Sequence, residues 1–398
     1  MTGLLSKEAV IEILGREWRP KASSEAVSVT EALGRIPARD LFSVNSIPLV
    51  RSAAMDGWAV KSALFAGGLP DASKWALGRD YARADMGDDF DDGFDSVVLV
   101  EEARQEGEGL SFSESLNFSP GQNVRQAGAQ IAEGDLLAKA GRPLLPKDLA
   151  MLQMGGLSVI EVFAKPRFAF IPSGNELIAP GPRPARGENI DTNSVLVSKT
   201  LEGWGAKAEL WPIIPDDPEK LSKALDEALD RSDVVILNGG SSKGGDDRAG
   251  SLLAARGRSL VRGVAAAPGK PMGVFLVGDK LAVNLPGPMI AAYYGLEWCL
   301  KWIVARFQGL KLVPRPKVKA VLLEDLKAPE SLSFLFNVSL SRNSDGSWSA
   351  RPVDPRRART AEGVAANGQY MSVLGRGAIP KGEEIWVEVL RDEEILGE

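Results

Sequence analysis

Four loops in the middle of the sequence carry residue types that bind anions. All four contain glycine, and the first three also carry hydroxyl, basic or acidic side chains: Ser173-Gly174-Asn175-Glu176, Gly239 to Asp247, Pro268-Gly269-Lys270-Pro271 and Leu285-Pro286-Gly287. Glycine lets backbone N–H groups approach an anion closely, and the N-terminus of a following helix adds a favourable dipole. The pattern favours a site for a phosphorylated ligand.

Side chains in these loops could complete such a site. Ser241 and Ser242 offer hydroxyl donors, and Lys270 offers a positive charge. Asp246 and Asp247 give the paired hard oxygens that Mg²⁺ prefers when it bridges to a phosphate. The alternative is that the glycines form tight turns and the aspartates cap helices. Neither Gly-x-Gly-x-x-Gly nor Gly-x4-Gly-Lys-Ser/Thr occurs there, so dinucleotide-binding and Walker-type readings lack support.

Two absences limit the chemistry. The 398 residues include no histidine, which excludes Ser-His-Asp and Cys-His nucleophile systems and every histidine-containing metal site. Cys299 is the single cysteine, so the chain forms no internal disulfide and no cysteine-rich metal site. Any chemistry must use carboxylates, lysines, hydroxyls, backbone amides and a hard metal such as Mg²⁺.

Charge and hydropathy exclude two further classes of protein. The net charge of -6 argues against a general nucleic-acid binder. The most apolar stretch, 289–304, contains Glu297 and Lys301 and predicts a buried helix rather than a membrane span, with Cys299 as a small buried hydrophobe. The first ten residues lack the pattern of a secretory signal, so we expect a cytoplasmic protein.

The loops must be positioned by an α/β domain. Continuous apolar runs at 167–171, 233–237 and 280–284 alternate with helical patterns, and Asp217-Pro218 is typical of a helix start. This alternation predicts a central doubly wound α/β domain. In such sheets ligands bind beyond the carboxyl ends of the strands, where the four loops would converge.

The flanking regions have different patterns. Helices are predicted at 6–15, with Ser6 as a candidate cap, and at 24–42. Short apolar runs separated by turn residues predict β structure elsewhere. We therefore expect a multidomain α/β chain: a helical linker domain (1–45 and 140–165), an inserted β-rich domain (46–139), the α/β domain (166–312) and a small C-terminal β-barrel (313–398).

Six segments in order resemble the molybdopterin molybdenumtransferase family, which includes the E domain of gephyrin. Any one is a weak signal, but the ordered set is specific. The segments are Ala54-Met55-Asp56-Gly57-Trp58-Ala59-Val60, Ser173-Gly174-Asn175-Glu176-Leu177, Ile190-Asp191-Thr192-Asn193-Ser194, Asp233-Val234-Val235 with Gly239-Gly240-Ser241-Ser242 and Asp247, Pro268-Gly269-Lys270-Pro271, and Leu285-Pro286-Gly287.

The resemblance implies an elongated homodimer of four-domain subunits whose site is shared between subunits. The family binds adenylylated molybdopterin, uses Mg²⁺ and molybdate, releases AMP and leaves molybdenum on the dithiolene. An adenylylating partner protein is also implied. By position, Asp247, Asp233, Glu176, Asp56 and Lys270 would be catalytic, and Asp247, Asp246 and Glu176 would hold the metal. Ligand-binding residues would be Gly239, Gly240, Ser241, Ser242, Lys243, Ser173, Gly174, Pro268, Gly269, Pro286 and Gly287.

This sequence departs from the family where an oxyanion would bind. Ala267 replaces a lysine, Phe336 stands where an arginine is expected, and Ala127 to Ile131 replaces an Arg-Gly-Glu-Asp-Ile segment. The family's Leu-Pro-Gly-Asn-Pro is Leu285 to Met289 here. Each lost charged contact is worth about 1.5–3 kcal/mol. Compensating cations could come from Lys243, Arg248 or the basic run 355–359, each of which could equally be a solvated surface charge.

Three functions therefore stay open. The first is insertion of molybdate into adenylylated molybdopterin with release of AMP. The second is a non-catalytic relative that binds molybdopterin or the mature cofactor as a carrier or chaperone. The third is the same reaction with tungstate, whose geometry and charge nearly equal those of molybdate.

Overall fold

The computed structural model describes residues 4–239, 248–353 and 360–390. The chain divides into two units, of which one is Met1–Ser23 with Ala164–Glu398 and the other is Ser24–Phe163. Helix α1 (Lys7–Glu17) begins the first unit. The hydroxyl of Ser6 accepts the backbone N–H of Ala9 at 3.1 Å, which confirms the predicted cap.

The second unit, Ser24–Phe163, is built from short strands. These are β1 (Ser24–Ser28), β2 (Leu41–Phe42), β3 (Ser52–Ala53), β4 (Gly57–Val60), β5 (Tyr81–Ala84), β6 (Ser96–Leu99), β7 (Ala103–Glu106), β8 (Gly109–Phe112), β9 (Val124–Arg125), β10 (Leu136–Ala138) and β11 (Val159–Phe163). Helix α2 (Pro146–Met154) precedes β11. The strands pair mostly as two- and three-stranded antiparallel sheets, such as β5-β4-β6.

The prediction of a helix at 24–42 is wrong. Ser24–Ser28 is strand β1, and it pairs antiparallel with β11 from Ser24 opposite Phe163 to Ser28 opposite Val159. A single 3-10 turn, Val29–Glu31, follows. Pairing with a strand more than a hundred residues away in sequence decides the local structure here, because strand formation depends on cross-strand and same-face neighbours more than on local propensity.

The central α/β domain follows in the first unit. Its elements are β12 (Arg167–Pro172), β13 (Leu177–Ile178), β14 (Asn189–Ile190), α3 (Asn193–Gly203), β15 (Lys207–Leu210), α4 (Pro218–Arg231), β16 (Val234–Asn238), α5 (Arg248–Ala254), β17 (Arg258–Arg262), β18 (Ala266–Ala267), β19 (Gly273–Val277), β20 (Lys280–Leu285), α6 (Met289–Gly295) and α7 (Lys301–Phe307). A π-helical turn, Leu296–Leu300, joins α6 to α7.

The main sheet has the order β15-β12-β16-β20-β19-β17. The first four strands are parallel, β19 pairs antiparallel with β20, and β17 pairs antiparallel with β19. Apolar clusters cover both faces: α1, α3, α6 and α7 pack on one side, and α4 and α5 on the other. The predicted doubly wound α/β domain is confirmed, because each buried strand contributes residues to both clusters.

Local signals explain the helices of this domain. Asp217 accepts the backbone N–H groups of Glu219 and Lys220 at 3.0 and 3.1 Å, and Pro218 occupies the first turn of α4, as predicted.

Cys299 is fully buried, and burial raises the pKa of its thiol to about 12, so it packs as a hydrophobe. No helix in the described part of the chain is both long and apolar enough to cross a membrane.

The C-terminal elements close into a barrel. They are β21 (Lys317–Leu322), β22 (Ser333–Arg342), β23 (Trp348–Pro352), α8 (Thr360–Ala365), β24 (Gly368–Met371) and β25 (Glu384–Val389). The order of the strands around the barrel is β22-β23-β21-β25-β24. Strand β24 also pairs with β22, which closes the barrel. Strand β18 of the α/β domain adds to the barrel, with Ala266 opposite Ser333 and Ala267 opposite Phe334. The predicted barrel is confirmed.

Candidate functional site

One edge of the main sheet gathers most of the predicted loops. The parallel strands β12, β16 and β20 all end there, at Pro172, Asn238 and Leu285. Strand β19 runs the opposite way with Gly273 opposite Asn284, so the turn that precedes β19 lies at the same edge. We call this the carboxyl edge.

Ser173 links two strand ends at the carboxyl edge. Its backbone N–H donates to the carbonyl of Asn238 at 2.8 Å, and its hydroxyl donates to Asp216 Oδ1 at 3.3 Å. The backbone N–H of Asp216 in turn donates to Asn175 Oδ1 at 3.0 Å. Ser173 is 2 % exposed and Asp216 is half-buried, so a carboxylate is fixed beside the predicted Ser173-Gly174-Asn175 loop.

The sequence reading missed Asp216. A signal was available, because Asp216 follows strand β15 and immediately precedes Asp217, the cap of α4. That position places it beyond the carboxyl end of a parallel strand, where ligands bind in open α/β sheets.

Glu176 projects its carboxylate over Gly174. A Cβ atom built on Gly174 would lie 2.7 Å from Glu176 Oε2 and 2.9 Å from its Cδ. The absence of a side chain at position 174 therefore makes room for this carboxylate. Glu176 is exposed, and with Asp216 it supplies hard oxygen donors of the kind that Mg²⁺ prefers.

Buried amides tie the strand ends together. Asn193 Nδ2 donates to Asn238 Oδ1 at 3.0 Å and to the carbonyl of Gly287 at 2.7 Å. Asn238 Nδ2 donates to the carbonyls of Leu285 and Pro286 at 3.1 and 2.8 Å. The start of α3, the end of β16 and the loop after β20 are thus one hydrogen-bonded assembly.

Gly239 begins the glycine-rich loop in a conformation that other residues rarely adopt. Its φ is +109°, and a Cβ atom there would lie 2.1 Å from the carbonyl oxygen of Ser173. The backbone N–H of Gly239 donates to Leu285 O at 3.4 Å. At Gly239 the backbone therefore lies directly against the backbone of Ser173, after β12.

Replacing Gly239 by alanine should destabilise the protein by about 2–4 kcal/mol, because backbone strain and a backbone clash add together. Urea unfolding followed by circular dichroism measures the loss. Gly287→Ala is the matched control, since a Cβ atom at position 287 meets nothing within 4 Å. Equal stability of the two variants would contradict the close approach of Gly239 to Ser173.

Lys270 lies in the turn that precedes β19. The backbone N–H of Val264 donates to Lys270 O at 2.9 Å, and that of Met272 donates to Gly269 O at 3.0 Å, so the turn is well defined. The side chain of Lys270 is exposed. The carboxyl edge therefore presents an ammonium group near the last residues of β20.

An apolar cavity of about 290 Å³ lies between the α/β domain and the barrel. The first turns of α3 and α6 and the strands β22 and β24 supply part of its wall. Tyr293, Asn337 and Gln369 form its polar part, and burial together with the charge of Glu297 raises the pKa of Tyr293. The cavity begins where α3 and α6 leave the carboxyl edge.

Asp233 is not brought to the carboxyl edge, and Asp56 belongs to the other unit. Asp233 precedes β16 and lies at the opposite edge, where its Oδ2 accepts the backbone N–H of Arg167 at 2.7 Å. Asp56 belongs to the other unit, where its Oδ1 accepts the backbone N–H of Met86 at 2.7 Å. Asp56 is exposed and adjoins Gly57, whose Cβ would lie 2.2 Å from Val98 O.

Other predicted residues lie outside the described part of the chain. These are Gly240, Ser241, Ser242, Lys243, Asp246 and Asp247, and likewise the basic run 355–359 and the side chain of Arg248. Within 4–239, 248–353 and 360–390, no group of three or more carboxylates or other ligating side chains could hold a metal. Glu176 and Asp216 would need further donors to do so.

Phe336, which stands where the family has an arginine, is part of the barrel core. It is 6 % exposed, and its ring centroid lies 4.7 Å from that of Phe334. Ala267 is held in the β18–β22 ladder opposite Phe334. At these two positions apolar side chains replace the two cations, and the described carboxyl edge retains Lys270.

Comparison with known proteins adds independent evidence. Residues 5–156 match the family model described as "MoeA N-terminal region (domain I and II)", and residues 169–305 match "Probable molybdopterin binding domain". A molybdopterin molybdenumtransferase of Haemophilus influenzae is 27 % identical over 307 residues, which cover 74 % of this chain and 75 % of that protein. Its counterpart in Staphylococcus epidermidis is 24 % identical over 362 residues, covering 87 % and 85 %.

The fold has a close counterpart among solved structures. The molybdopterin biosynthesis MoeA protein of Pyrococcus horikoshii superimposes with a TM-score of 0.81 at 24 % identity, covering 98 % of this chain and 99 % of that one. At this identity the likeness establishes the architecture, including both the inserted unit and the C-terminal barrel.

Proposed function

Because the chain belongs to the MoeA family of molybdopterin molybdenumtransferases, we propose that it inserts molybdate into adenylylated molybdopterin and releases AMP. The observation that carries the proposal is the carboxyl edge. There Ser173, Gly239, Gly287 and the Lys270 turn meet at the ends of neighbouring strands of the domain that matches the molybdopterin-binding family model.

This chemistry suits a chain without histidine. The dithiolene sulfurs of the substrate bind the molybdenum, so the protein needs to position anions rather than ligate the metal through its own side chains. Backbone N–H groups of the glycine loops favour the phosphates of the substrate. Their role is to hold the phosphoanhydride in a fixed orientation, which lowers the entropic part of the barrier.

Asp216 and Glu176 are the acidic residues that we assign to the phosphoanhydride side of the site. Asp216 replaces Asp233 in this role, because Asp233 lies at the opposite edge of the sheet. The Ser173 hydroxyl fixes the orientation of the Asp216 carboxylate. A fixed carboxylate can accept a proton or a metal ion without reorganising as the reaction proceeds.

Magnesium would be held by Glu176 and Asp216 together with Asp246 and Asp247. The ion would neutralise the charge that develops on the phosphates when AMP leaves. Lys270 would attract molybdate to the carboxyl edge as a point charge. Ser242 and Lys243, from the loop after β16, are the further oxyanion ligands that the resemblance implies.

A carrier or chaperone for the cofactor is the second candidate. Phe336 and Ala267 favour the carrier function, since both stand where cations are expected. Phe336 is also buried in the barrel core. Release of AMP from adenylylated molybdopterin separates the two, because a carrier binds the pterin without cleaving the anhydride. If AMP release requires tungstate in place of molybdate, the protein carries out the same reaction with tungstate.

We propose a homodimer, and an adenylylating protein as its upstream partner. The unit Ser24–Phe163 leaves large apolar side chains exposed, among them Phe42, Val44, Leu49, Leu145 and Val159. Where such side chains form a contiguous patch, they are typical of an interface. Sedimentation equilibrium at micromolar concentration should give about twice the 42.5 kDa mass of the chain, and a single 42.5 kDa species would contradict the dimer.

A further inference from the structure

The carboxyl edge contains a relay of two side-chain amides. Asn193 is the first residue of α3 and Asn238 is the last residue of β16, and they are 6 % and 2 % exposed. Asn193 donates to Asn238 and to Gly287, while Asn238 donates to Leu285 and Pro286. Each amide therefore reaches from its own element to the neighbouring strand ends.

The direction of every hydrogen bond in the relay is fixed. The carbonyls of Leu285 and Pro286 can only accept, so Asn238 must present its NH₂ group to them and its oxygen to Asn193. Asn193 must then present its NH₂ group to Asn238 and to the carbonyl of Gly287. Two backbone carbonyls thus determine the orientation of both side chains without reference to any hydrogen position.

One amide oxygen of the relay accepts no hydrogen bond from the described residues. Asn193 Oδ1 is buried, and within the described residues it accepts no hydrogen bond. A buried polar atom without a partner is rare in native proteins, and its explanations include a functional role and an ordered water. This oxygen lies at the N-terminus of an 11-residue helix and beside the loop that the substrate phosphates would approach.

Asn367 in the barrel is a useful contrast. Its Nδ2 donates to the carbonyl of Leu340 at 3.1 Å, and its Oδ1 accepts the backbone N–H of the same residue at 2.7 Å. Both ends of this amide are satisfied within the fold. A structural asparagine in this chain therefore looks different from Asn193, which connects separate loops and keeps an acceptor unused.

We propose that Asn193, acting through Asn238 and Gly287, is a positioning residue that sets the spacing between the end of β16 and the loop after β20. The inference rests on the proposed function, because that spacing is what the adenylylated pterin would span. Asn193 acts on substrate binding through the loop backbone, and the transfer step itself belongs to the acidic residues. Loss of the relay should therefore raise KM more than it lowers kcat.

Asn193→Asp tests this with almost no change in shape. The carboxylate would face Asn238 Oδ1 and Gly287 O, two acceptors, and would repel both. We expect KM for adenylylated molybdopterin to rise about 10–100-fold while kcat changes less than about threefold. Asn367→Asp is the matched control, and it should lower the melting temperature with KM unchanged.

The pH profile gives a second readout that a merely structural role would not move. Burial beside two acceptors should raise the pKa of the aspartate in Asn193→Asp, so the group gains a proton as the pH falls. The neutral carboxyl has one O–H and can donate to one of the two acceptors. The KM penalty should therefore shrink between pH 8 and pH 6, a trend that wild type lacks.

Hydrogen exchange separates this inference from the proposed function. The backbone N–H groups of Ser173 and Gly239 donate to Asn238 O and Leu285 O, so in Asn193→Asp both should exchange faster. This holds whether or not the protein releases AMP. Absence of AMP release in wild type would defeat the proposed function alone. Unchanged exchange together with an unchanged KM in Asn193→Asp would overturn the positioning role. Asn193→Ser, which keeps one donor, repeats the test if the aspartate variant fails to fold.

Discussion

Replacing Asp216 by asparagine should lower AMP release about 100-fold while leaving the fold intact. The substitution removes one negative charge and keeps the shape. A charged hydrogen-bonding group contributes about 1.5–3 kcal/mol, which corresponds to roughly 10–150-fold in rate. Asp216 is half-buried and its carboxylate accepts the hydroxyl of Ser173, so asparagine would occupy the same position without the charge. Single-turnover release of AMP at saturating substrate measures the effect.

Asp217 offers the matched control, one residue away. Its side chain caps α4, and asparagine caps a helix as well as aspartate does, so Asp217→Asn makes the same charge change without losing the cap. We expect AMP release to stay within about twofold of wild type. Equal losses in the two variants would show that net charge alone matters. Asp233→Asn should also remain active, and its inactivation with an intact fold would restore Asp233 to the site.

Replacing Lys270 by methionine should lower the affinity for molybdate about 10–100-fold. Methionine keeps most of the aliphatic stem and removes the charge. The ammonium is exposed, so its attraction for the oxyanion is screened over about 10 Å at 0.1 M salt. Wild-type affinity should therefore fall with added salt, and the variant should lose most of that dependence. Titration calorimetry with molybdate at two salt concentrations measures both effects.

Lys207→Met is the control for Lys270, since Lys207 begins β15 at the opposite edge of the sheet and is exposed to a similar degree. Its affinity for molybdate should match wild type. Ala267→Lys should strengthen binding, because it restores a cation near the same turn. If Lys270→Met binds molybdate normally while Lys243→Met does not, the loop after β16 supplies the cation in place of Lys270.

The architecture could be predicted because its signals are local. Continuous apolar runs marked the buried strands β12, β16 and β20, and Asp217-Pro218 marked the start of α4. The strand β1 could not be predicted in this way, since its partner β11 lies more than a hundred residues away and periodicity does not encode such pairings. The helix predicted at 24–42 failed for that reason.

The loops of the candidate site and Glu176 were named from the sequence, but Asp233 was named as well and lies elsewhere. Asp233 adjoins a buried strand, but it precedes the strand, and in a parallel sheet that places it at the edge away from the ligand. Asp216 follows a strand and was overlooked. The contact between Asn193 and Asn238 spans 45 residues and depends on how α3 packs beside β16, which no local pattern reveals.

Quantification of AMP from purified protein, Mg²⁺ and adenylylated molybdopterin, with molybdate, tungstate or neither, decides whether the protein is an enzyme. We expect AMP to appear in step with molybdenum cofactor when molybdate is present, and to fall to background when oxyanion is withheld. Tight binding of adenylylated molybdopterin without AMP release under any of these conditions would contradict the enzyme assignment and leave a carrier.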